Sequence, residues 1–305
     1  MSSKEWPSWL PLRRDLQVLS PYGAPQVPAA ATLNTNENPY APSAELAKAI
    51  ADRTYQVALK LNRYPDRDAQ TLRKGLANFI NVLSNTSFGA DQIWAANGSN
   101  EIIQSLFMAF GDRPALGFTP SYSMHPLIAK VIGVNWQDGG RRADFSLDLV
   151  KALNEIATVK PALTFITTPN NPTGTTVTLD EIAQLAQAAA QVNGLLIVDE
   201  AYAEFSDLPS AVTLINEYAN LVVIRTMSKA FAFAGARLGY LIANQELVSA
   251  MFLVRLPYHL SSLTQAAAEV ALEFQGELLG NVSTLINSRK SVISELEKMG
   301  LQVAP

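Results

Sequence analysis

From residue 44 onward, segments with helical periodicity alternate with short runs of apolar residues. Apolar residues recur every three to four positions in six segments, which predicts helices near residues 44–60, 68–83, 99–110, 148–157, 179–192 and 245–255. The short apolar runs predict strands at Ile93–Ala96, Ala115–Phe118, Leu163–Thr167, Leu195–Val198, Leu221–Arg225 and Leu238–Ala243. Runs such as Leu195–Val198 have no alternating polar positions, which is typical of strands buried on both faces. The pattern therefore predicts an α/β fold in which helices cover a mostly parallel central sheet.

The same pattern divides the chain into three parts. Residues 1–43 are rich in proline and have no regular period, so we interpret them as an N-terminal arm. Residues 44–260 contain the alternating elements and form the predicted large domain. Residues 261–305 begin with a long helical stretch at 262–299, which we interpret as the start of a smaller domain.

The last residues suggest that this smaller domain is incomplete. Gly300 is expected to end the preceding helix, and Leu301–Ala304 has the pattern of the start of a strand. No other segment nearby offers that strand a partner. We therefore expect a C-terminally truncated chain, with further residues of the small domain beyond Pro305.

Composition excludes several classes of function. The net charge is −4 and basic residues occur in runs no longer than pairs, which argues against nucleic acid and anionic membranes as partners. There is no cysteine, so thiolate catalysis, disulfides and zinc–cysteine sites are excluded. His125 and His259 lack metal-ligand spacing, so we expect no metal site and acid–base chemistry on other residue types. With no signal-peptide core and no run of about 18 apolar residues, we expect a cytoplasmic protein.

Polar segments follow four of the predicted strands, where ligands bind in open α/β sheets. Asn97–Glu101 opens a helix and suits an anion, although such a segment is more often a turn with a helix cap. Thr168–Gly174 is a rigid loop, either a tight turn or a mount for an asparagine that binds a ligand. Asp199–Tyr202 places an acid at the end of a buried strand, where it would pair with magnesium or a ligand cation. The chain has no Gly-Lys dipeptide and hence no P-loop, so an ATPase is excluded.

The fourth segment, Thr226–Tyr240, contains a lysine in an unusual setting. Lys229 directly follows a buried strand and has apolar and small neighbours, whereas most lysines lie at the surface. Such surroundings lower the pKa of a lysine and favour an amine that forms imines. Arg237, eight residues further on, could bind a phosphate through two hydrogen bonds.

Taken in order, these motifs resemble the fold-type-I pyridoxal 5′-phosphate (PLP) aminotransferases. Thr226–Gly235 is similar to the lysine signature of the class-II group, and the matches extend from about Tyr22 to Tyr258. Within that group the chain resembles the histidinol-phosphate aminotransferases. Six segments carry this resemblance: Leu33–Pro39, Asn62–Asp66, Asn97–Glu101, Thr168–Gly174, Asp199–Tyr202 and Thr226–Tyr240. The resemblance implies a fold-type-I architecture with a smaller α+β domain.

The resemblance also implies roles at the cofactor ring. Lys229 would carry PLP as a Schiff base and later move a proton between Cα of the substrate and C4′ of the cofactor. Asp199 would pair with the protonated pyridine nitrogen, which keeps the ring an electron sink. Asn171 and Tyr202 would hydrogen-bond the 3′ oxygen. Tyr122 would stack on the ring, although from the residues alone an ordinary core aromatic is equally well supported.

Further implied roles concern the cofactor phosphate, the partner subunit and the substrate. The implied ligands of the cofactor phosphate are Ser99, Asn100, Thr226, Ser228 and Arg237. Tyr64 would reach this phosphate from the partner subunit, which implies a homodimer with shared active sites. The N-terminal arm would pack on the small domain and on that partner. Near the imidazole end of the substrate, the resemblance implies Tyr22, Asn36 and Glu37.

The implied reaction is amino transfer between histidinol phosphate or imidazole-acetol phosphate and glutamate or 2-oxoglutarate, in L-histidine biosynthesis. Two alternatives keep the scaffold: an aromatic amino-acid aminotransferase and a decarboxylase of a phosphorylated amino acid. A third alternative is an inactive fragment that binds the cofactor. After Arg255 the cations are Arg289, Lys290 and Lys298, on what the periodicity predicts to be a solvated helix face. We therefore expect the ligands of the substrate phosphate to lie beyond residue 305, and this chain to be a poor enzyme.

Overall fold

The computed structural model describes residues 6–24, 28 and 32–304. Residues 1–5, 25–27 and 29–31 of the predicted arm, and Pro305, lie outside the described residues. Across the described ranges the helices are α1 (Ala44–Ala58), α2 (Gln70–Ser84), α3 (Ser99–Phe110), α4 (Met124–Ile132), α5 (Leu149–Val159), α6 (Leu179–Gln191), α7 (Gln245–Val254), α8 (Ser262–Glu273) and α9 (Gln275–Lys298). The strands are β1 (Ile93–Ala96), β2 (Ala115–Gly117), β3 (Trp136–Asp138), β4 (Leu163–Thr167), β5 (Leu195–Asp199), β6 (Leu221–Thr226) and β7 (Gly239–Ala243).

The strands form one mixed sheet in the order β1-β7-β6-β5-β4-β2-β3. All the pairs from β6 through β5, β4 and β2 to β3 are parallel, whereas β7 runs antiparallel to both β1 and β6. The predicted mostly parallel sheet is therefore confirmed, with one reversed strand near its edge.

Helices cover both faces of this sheet. Successive residues of β5 enter two different apolar clusters: Leu196 and Val198 pack with α1, α2, α5, α6, α8 and α9, whereas Ile197 packs with α3, α4 and α7. Neighbouring side chains of a strand point to opposite faces, so a strand covered on both sides needs apolar residues at every position. This explains the unbroken apolar runs in the sequence.

The sequence pattern missed two short elements and merged two others. Helix α4 and strand β3 were not predicted; β3 has only three residues and pairs with β2 alone, so its apolar signal is weak. The predicted helical stretch at 262–299 is two helices, which separate at Phe274. The predicted strand after Gly300 is wrong for the described residues, because residues 301–304 form no strand.

A buried ionic cluster lies behind the carboxyl ends of β5 and β6. Arg225 contacts Glu200 at 2.8 Å and Glu204 at 2.9 Å, and none of the three side chains is more than 5% exposed. Glu200 also accepts hydrogen bonds from the Ser210 hydroxyl (2.6 Å) and the Ala211 backbone N–H (2.7 Å). Burial raises the pKa of Glu204, while the charge of Arg225 opposes this shift. The cluster fixes the turn that follows β5.

The C-terminal helices are tied to the start of the large domain. Glu277 in the first turn of α9 accepts hydrogen bonds from the backbone N–H (3.0 Å) and hydroxyl (2.7 Å) of Ser43, the N-cap of α1. Ala268 and Leu272 of α8 belong to the same apolar cluster as Leu46 of α1. The predicted domain boundary at residues 260/261 falls between α7 and α8 and remains a prediction. No helix among the described residues is both long and apolar enough to cross a membrane.

Candidate active site

The segments that follow the central strands meet at one edge of the sheet. Thr167 at the end of β4 pairs with Asp199 at the end of β5, so the loop after β4 lies beside that acid. Gly239 pairs with Thr226 on one side and with Ala96 on the other, which brings the start of α3 to the end of β6. The four segments singled out in the sequence therefore converge at the place predicted for ligand binding.

Asp199 is buried and paired with a histidine, His125. Its Oδ2 atom lies 3.0 Å from Nε2 of His125, and both side chains are 2% exposed. Its Oδ1 atom accepts a hydrogen bond from the Ala201 backbone N–H at 3.1 Å. The sequence pattern assigned His125 no role beyond the absence of metal-ligand spacing, so this contact is one that it missed. His125 is the second residue of α4, and Tyr122 lies just before this helix. Because α4 was not predicted, no signal in the sequence pointed to His125.

Tyr122 lies between the start of α3 and this acid. Its hydroxyl donates a hydrogen bond to Oδ1 of Asn100 at 3.1 Å, and its ring meets that of His125 edge-on at 5.4 Å. Burial, followed by the charge of Asp199, raises the pKa of Tyr122 to about 12. Tyr122 therefore stays neutral at physiological pH and presents a ring and a hydroxyl beside Asp199.

Lys229 is half-buried and lies under the residues that precede α1. Its Nζ atom donates hydrogen bonds to the backbone oxygens of Thr35 (2.9 Å) and Asn36 (3.1 Å) and lies 5.9 Å from the centre of the Tyr202 ring. Burial lowers the pKa of Lys229; Glu37 opposes this shift, and Arg237 adds to it. The amine is therefore easier to deprotonate than that of a surface lysine, as the sequence predicted.

A set of hydrogen-bond donors surrounds the start of α3. Gly98 has a φ of +80°, and α3 begins there without a side-chain cap. A Cβ atom on Gly98 would lie 2.8 Å from Nη2 of Arg237, and one on Gly239 would lie 2.4 Å from the Ser99 backbone nitrogen. Thr226 Oγ1 lies 3.0 Å from Ser228 Oγ at the same edge. Among the described residues no carboxylate pairs with Arg237, so the set suits an anion such as a phosphate.

The loop after β4 is held by a buried asparagine next to the one predicted to bind ligand. Nδ2 of Asn170 donates to the Pro120 oxygen (3.0 Å) and to Thr173 Oγ1 (2.8 Å), while its Oδ1 atom is buried without a partner. Asn171 lines a cavity of about 660 Å³ that also contains Lys229. The Tyr202 hydroxyl in the same cavity accepts a hydrogen bond from Asn36 at 3.1 Å, and burial raises the pKa of Tyr202.

Two of the predicted site residues lie outside this cluster. Tyr64 is 79% exposed, and its ring stacks on Tyr258 with centroids 4.4 Å apart. Its role at the cofactor phosphate of a partner subunit therefore remains a prediction. Tyr22 is 65% exposed but interacts electrostatically with Tyr122, which places it near the entrance of the site. Glu37 lines the same cavity as Lys229.

Comparison with known proteins agrees with this site. The family model for aminotransferase class I and II matches residues 30–305, and the chain belongs to this family, whose members are PLP enzymes. A histidinol-phosphate aminotransferase of Mycobacterium marinum is 52% identical over 299 residues, which cover 97% of this chain and 78% of that protein. The resemblance inferred from the sequence is therefore confirmed.

Solved structures agree with the fold. The crystal structure of the histidinol-phosphate aminotransferase from Clostridium acetobutylicum superposes with a TM-score of 0.75 at 26% identity, covering 87% of this chain and 76% of that chain. The aspartate aminotransferase from Thermus thermophilus with maleate gives a TM-score of 0.78 at 21% identity over 90% of this chain and 74% of that chain, which shows the shared fold. The fold-type-I prediction is confirmed.

Proposed function

We propose that this chain transfers an amino group between histidinol phosphate or imidazole-acetol phosphate and glutamate or 2-oxoglutarate, as a step of L-histidine biosynthesis. The observation that supports this most is the placement of a half-buried lysine, Lys229, at the same sheet edge as the buried carboxylate of Asp199, in a chain about half identical to histidinol-phosphate aminotransferases. The substrate pair follows from the names of these relatives.

The residues present fit PLP. The donors at the start of α3, with Arg237, Thr226 and Ser228, match a phosphate, and glycine at positions 98 and 239 keeps that space open. We assign Lys229 as the covalent attachment point and Asp199 as the partner of the ring nitrogen. When bound, PLP supplies an electron sink that makes a proton on the substrate's Cα removable.

The chain's own residues then supply orientation and proton transfer. Burial lowers the pKa of Lys229, so its amine can accept the proton from Cα of the substrate and later donate it again. His125 hydrogen-bonds the Asp199 carboxylate and so fixes its orientation. The negative charge of Asp199 therefore stays in one position in the site. Asn171 and Tyr202 offer an amide and a hydroxyl at the cavity, suited to an oxygen substituent of the ring.

We assign the working form to a homodimer that shares its two sites. The support is an exposed aromatic pair: Tyr64, which is 79% exposed, stacks on Tyr258, which is 40% exposed. Exposed aromatic groups clustered in this way favour a protein interface. In the dimer, Tyr64 would serve the phosphate site of the other subunit.

Turnover tests the proposed function directly. Purified protein with PLP and 2-oxoglutarate should convert histidinol phosphate to imidazole-acetol phosphate and glutamate, and borohydride should fix the cofactor on Lys229. Release of carbon dioxide from a phosphorylated amino acid would establish a decarboxylase instead. Faster turnover of phenylalanine or tyrosine than of histidinol phosphate would establish an aromatic aminotransferase. Labelling of a lysine other than Lys229 would overturn the site assignment.

A further inference from the structure

The start of α3 lacks the side-chain cap that other helices of this protein have. Its N-cap is Gly98, so the cap residue has no oxygen that could accept a hydrogen bond from the first turn. In five other helices the side chain of the N-cap residue accepts such a bond: Ser43, Asp148, Thr178, Asn244 and Ser261. The first N–H groups of α3 therefore need a different partner.

Two of these N–H groups are open to a ligand. Within the described ranges, the backbone N–H groups of Ser99 and Asn100 donate no hydrogen bond to the protein, whereas that of Gly98 donates to the Ala96 oxygen at 2.8 Å. Open N–H groups at a helix N-terminus attract an anion. They belong to the two residues whose backbone is expected to bind the cofactor phosphate.

Glu101 lies in the same turn, where a carboxylate would compete with a phosphate for these donors. Its Oε2 atom bonds elsewhere: it accepts a hydrogen bond from Nδ2 of Asn97 at 2.8 Å and another from the backbone N–H of that residue. Asn97 precedes the cap, so Glu101 binds back across the start of the helix. The donors of Ser99 and Asn100 consequently stay available.

Asn97 joins this contact to the body of the protein. Its Nδ2 atom also donates to the backbone oxygen of His259 at 2.9 Å, and Nε2 of His259 lies 3.0 Å from the Ala95 oxygen in β1. The ring of His259 stacks on the buried ring of Trp94. The turn between β1 and α3 is therefore held from the helix on one side and from the segment after α7 on the other.

We propose that Glu101 is a positioning residue for the cofactor phosphate: by binding back to Asn97, it keeps the N–H groups of Ser99 and Asn100 free and fixes their direction. This inference rests on the proposed function, because it concerns the phosphate of PLP. Glu101 does not touch the phosphate; it acts through the turn that carries the donors.

Two effects of Glu101 on a bound phosphate oppose each other. Its negative charge repels an anion at the same helix end, so this effect alone would make removal of the carboxylate strengthen binding. Its hydrogen bonds to Asn97 hold the donors in place, so the positioning role makes removal of the side chain weaken binding. The sign of the change in affinity therefore separates the two effects.

Paired ligands test the positioning role in the full chain freed of cofactor. Pyridoxamine 5′-phosphate and pyridoxamine differ only in the phosphate, and neither reacts covalently with Lys229. Fluorescence titration would give the Kd of both for wild type, Glu101→Ala and Glu101→Gln. Glu101→Ala should weaken binding of the phosphorylated compound by at least about 10-fold, as expected for lost hydrogen bonds to a charged group, and leave pyridoxamine unchanged. Glu101→Gln, which keeps an oxygen acceptor for Asn97, should recover most of the loss.

Asn97→Ala removes the other side chain of this contact and should cause the same selective loss, which provides a second test if Glu101→Ala does not fold. Tighter binding of pyridoxamine 5′-phosphate by Glu101→Ala would show that repulsion dominates and would overturn the proposal. Equal losses for both ligands, or a loss in Glu101→Gln as large as in Glu101→Ala, would overturn it as well.

Glu181→Ala is the matched control. Glu181 occupies the equivalent position in the first turn of α6, where it accepts hydrogen bonds from the backbone N–H (2.8 Å) and hydroxyl (2.9 Å) of Thr178. Its removal should lower the thermal stability, because a helix loses part of its cap, but should not change the ratio of the two dissociation constants. A change in this ratio would show that the effect of Glu101 is not specific to α3 and would count against the proposal.

Failure of the proposed function has a different signature. If wild type prefers pyridoxamine 5′-phosphate to pyridoxamine but does not turn over histidinol phosphate, the proposed reaction is wrong, and the ratio of dissociation constants still decides the role of Glu101. If wild type binds both ligands equally, the phosphate site is wrong, and the positioning role of Glu101 is refuted with it.

Discussion

Nε2 of His125 lies 3.0 Å from Oδ2 of Asp199, and protein surrounds both groups almost completely. A buried carboxylate without a partner is costly, so the imidazole does more than fill space. Because Ala201 donates to the other carboxylate oxygen, the orientation of Asp199 is fixed from two sides. Two variants of His125 can separate this orienting role from simple packing.

His125→Phe should lower kcat by about 10- to 100-fold, because hydrogen bonds to a charged group contribute about 1.5–3 kcal/mol. The phenyl ring keeps the packing against Phe165, 4.7 Å away between centroids, but cannot hydrogen-bond Asp199. His125→Gln, which keeps an amide donor, should retain more activity at comparable stability. Steady-state rates and urea unfolding would check both; equal rates for the two variants would show that packing alone matters.

Asp199 and its neighbour Glu200 should respond differently to removal of charge. Asp199→Asn should fold nearly normally and lose about 100- to 1,000-fold in kcat, because an amide cannot stabilise a ring cation. Glu200→Gln breaks the buried contact with Arg225 and should instead lower the free energy of unfolding by about 3–5 kcal/mol. Activity per folded molecule and urea titration measure the two effects separately. The opposite pattern would mean that the acid at the ring has been misassigned.

Lys229 should make the cofactor-free protein less stable near neutral pH. Its folded pKa lies below that of the unfolded chain, about 10.4, so the unfolded chain binds more protons as the pH falls through this range. The wild type therefore gains stability relative to Lys229→Met as the pH rises toward about 10.4. Thermal unfolding of both proteins at pH 7 and pH 10 checks this sign. A loss of stability of the wild type relative to Lys229→Met as the pH rises would contradict this sign.

Two glycines offer a matched test of the phosphate site. A Cβ atom on Gly239 would lie 2.4 Å from the backbone nitrogen of Ser99, so Gly239→Ala must displace the start of α3. We expect it to weaken PLP binding at least about 10-fold and to destabilise the fold by about 1–3 kcal/mol. Gly235→Ala, with open space around its added methyl group, should leave both within experimental error. Fluorescence titration with PLP and thermal unfolding distinguish the variants.

Complementation tests whether active sites are shared between subunits. Tyr64→Ala and Lys229→Ala should each be nearly inactive. If Tyr64 acts across the interface, a dimer of one Tyr64→Ala chain and one Lys229→Ala chain has both defects in one active site and no defect in the other. Mixing after mild dissociation should therefore restore part of the wild-type activity. Absence of restored activity in mixed dimers that are verified by mass would contradict a role in the other subunit.

The sequence predicted the architecture well where burial leaves a local pattern. The unbroken apolar run at Leu195–Val198 marked a strand covered on both faces, and Thr178 with Glu181 forms a capping box at the start of the predicted helix α6. The segments that meet at the sheet edge were likewise recognisable. Contacts between residues that are distant in the sequence could not be predicted from it. No pattern near His125 in the sequence predicts its contact with Asp199, 74 residues away.

The position of α9 at the cavity shows the same limit. Helical periodicity correctly marked Arg289 as exposed, but exposure does not say what a side chain faces. The surroundings of the Arg289 side chain depend on the loop after β5 and on the segment before α1, which line the cavity together with α9. Such a surface exists only after three remote segments have packed together, so no local pattern records it.

The cluster of Arg225 with Glu200 and Glu204 has a consequence for folding itself. Two carboxylates share one guanidinium, and burial raises the pKa of Glu204 above its value in the unfolded chain. At mildly acidic pH, folding must therefore be accompanied by uptake of a proton from solution. The heat of unfolding measured by calorimetry should then depend on the ionisation enthalpy of the buffer, and Glu204→Gln should change this dependence.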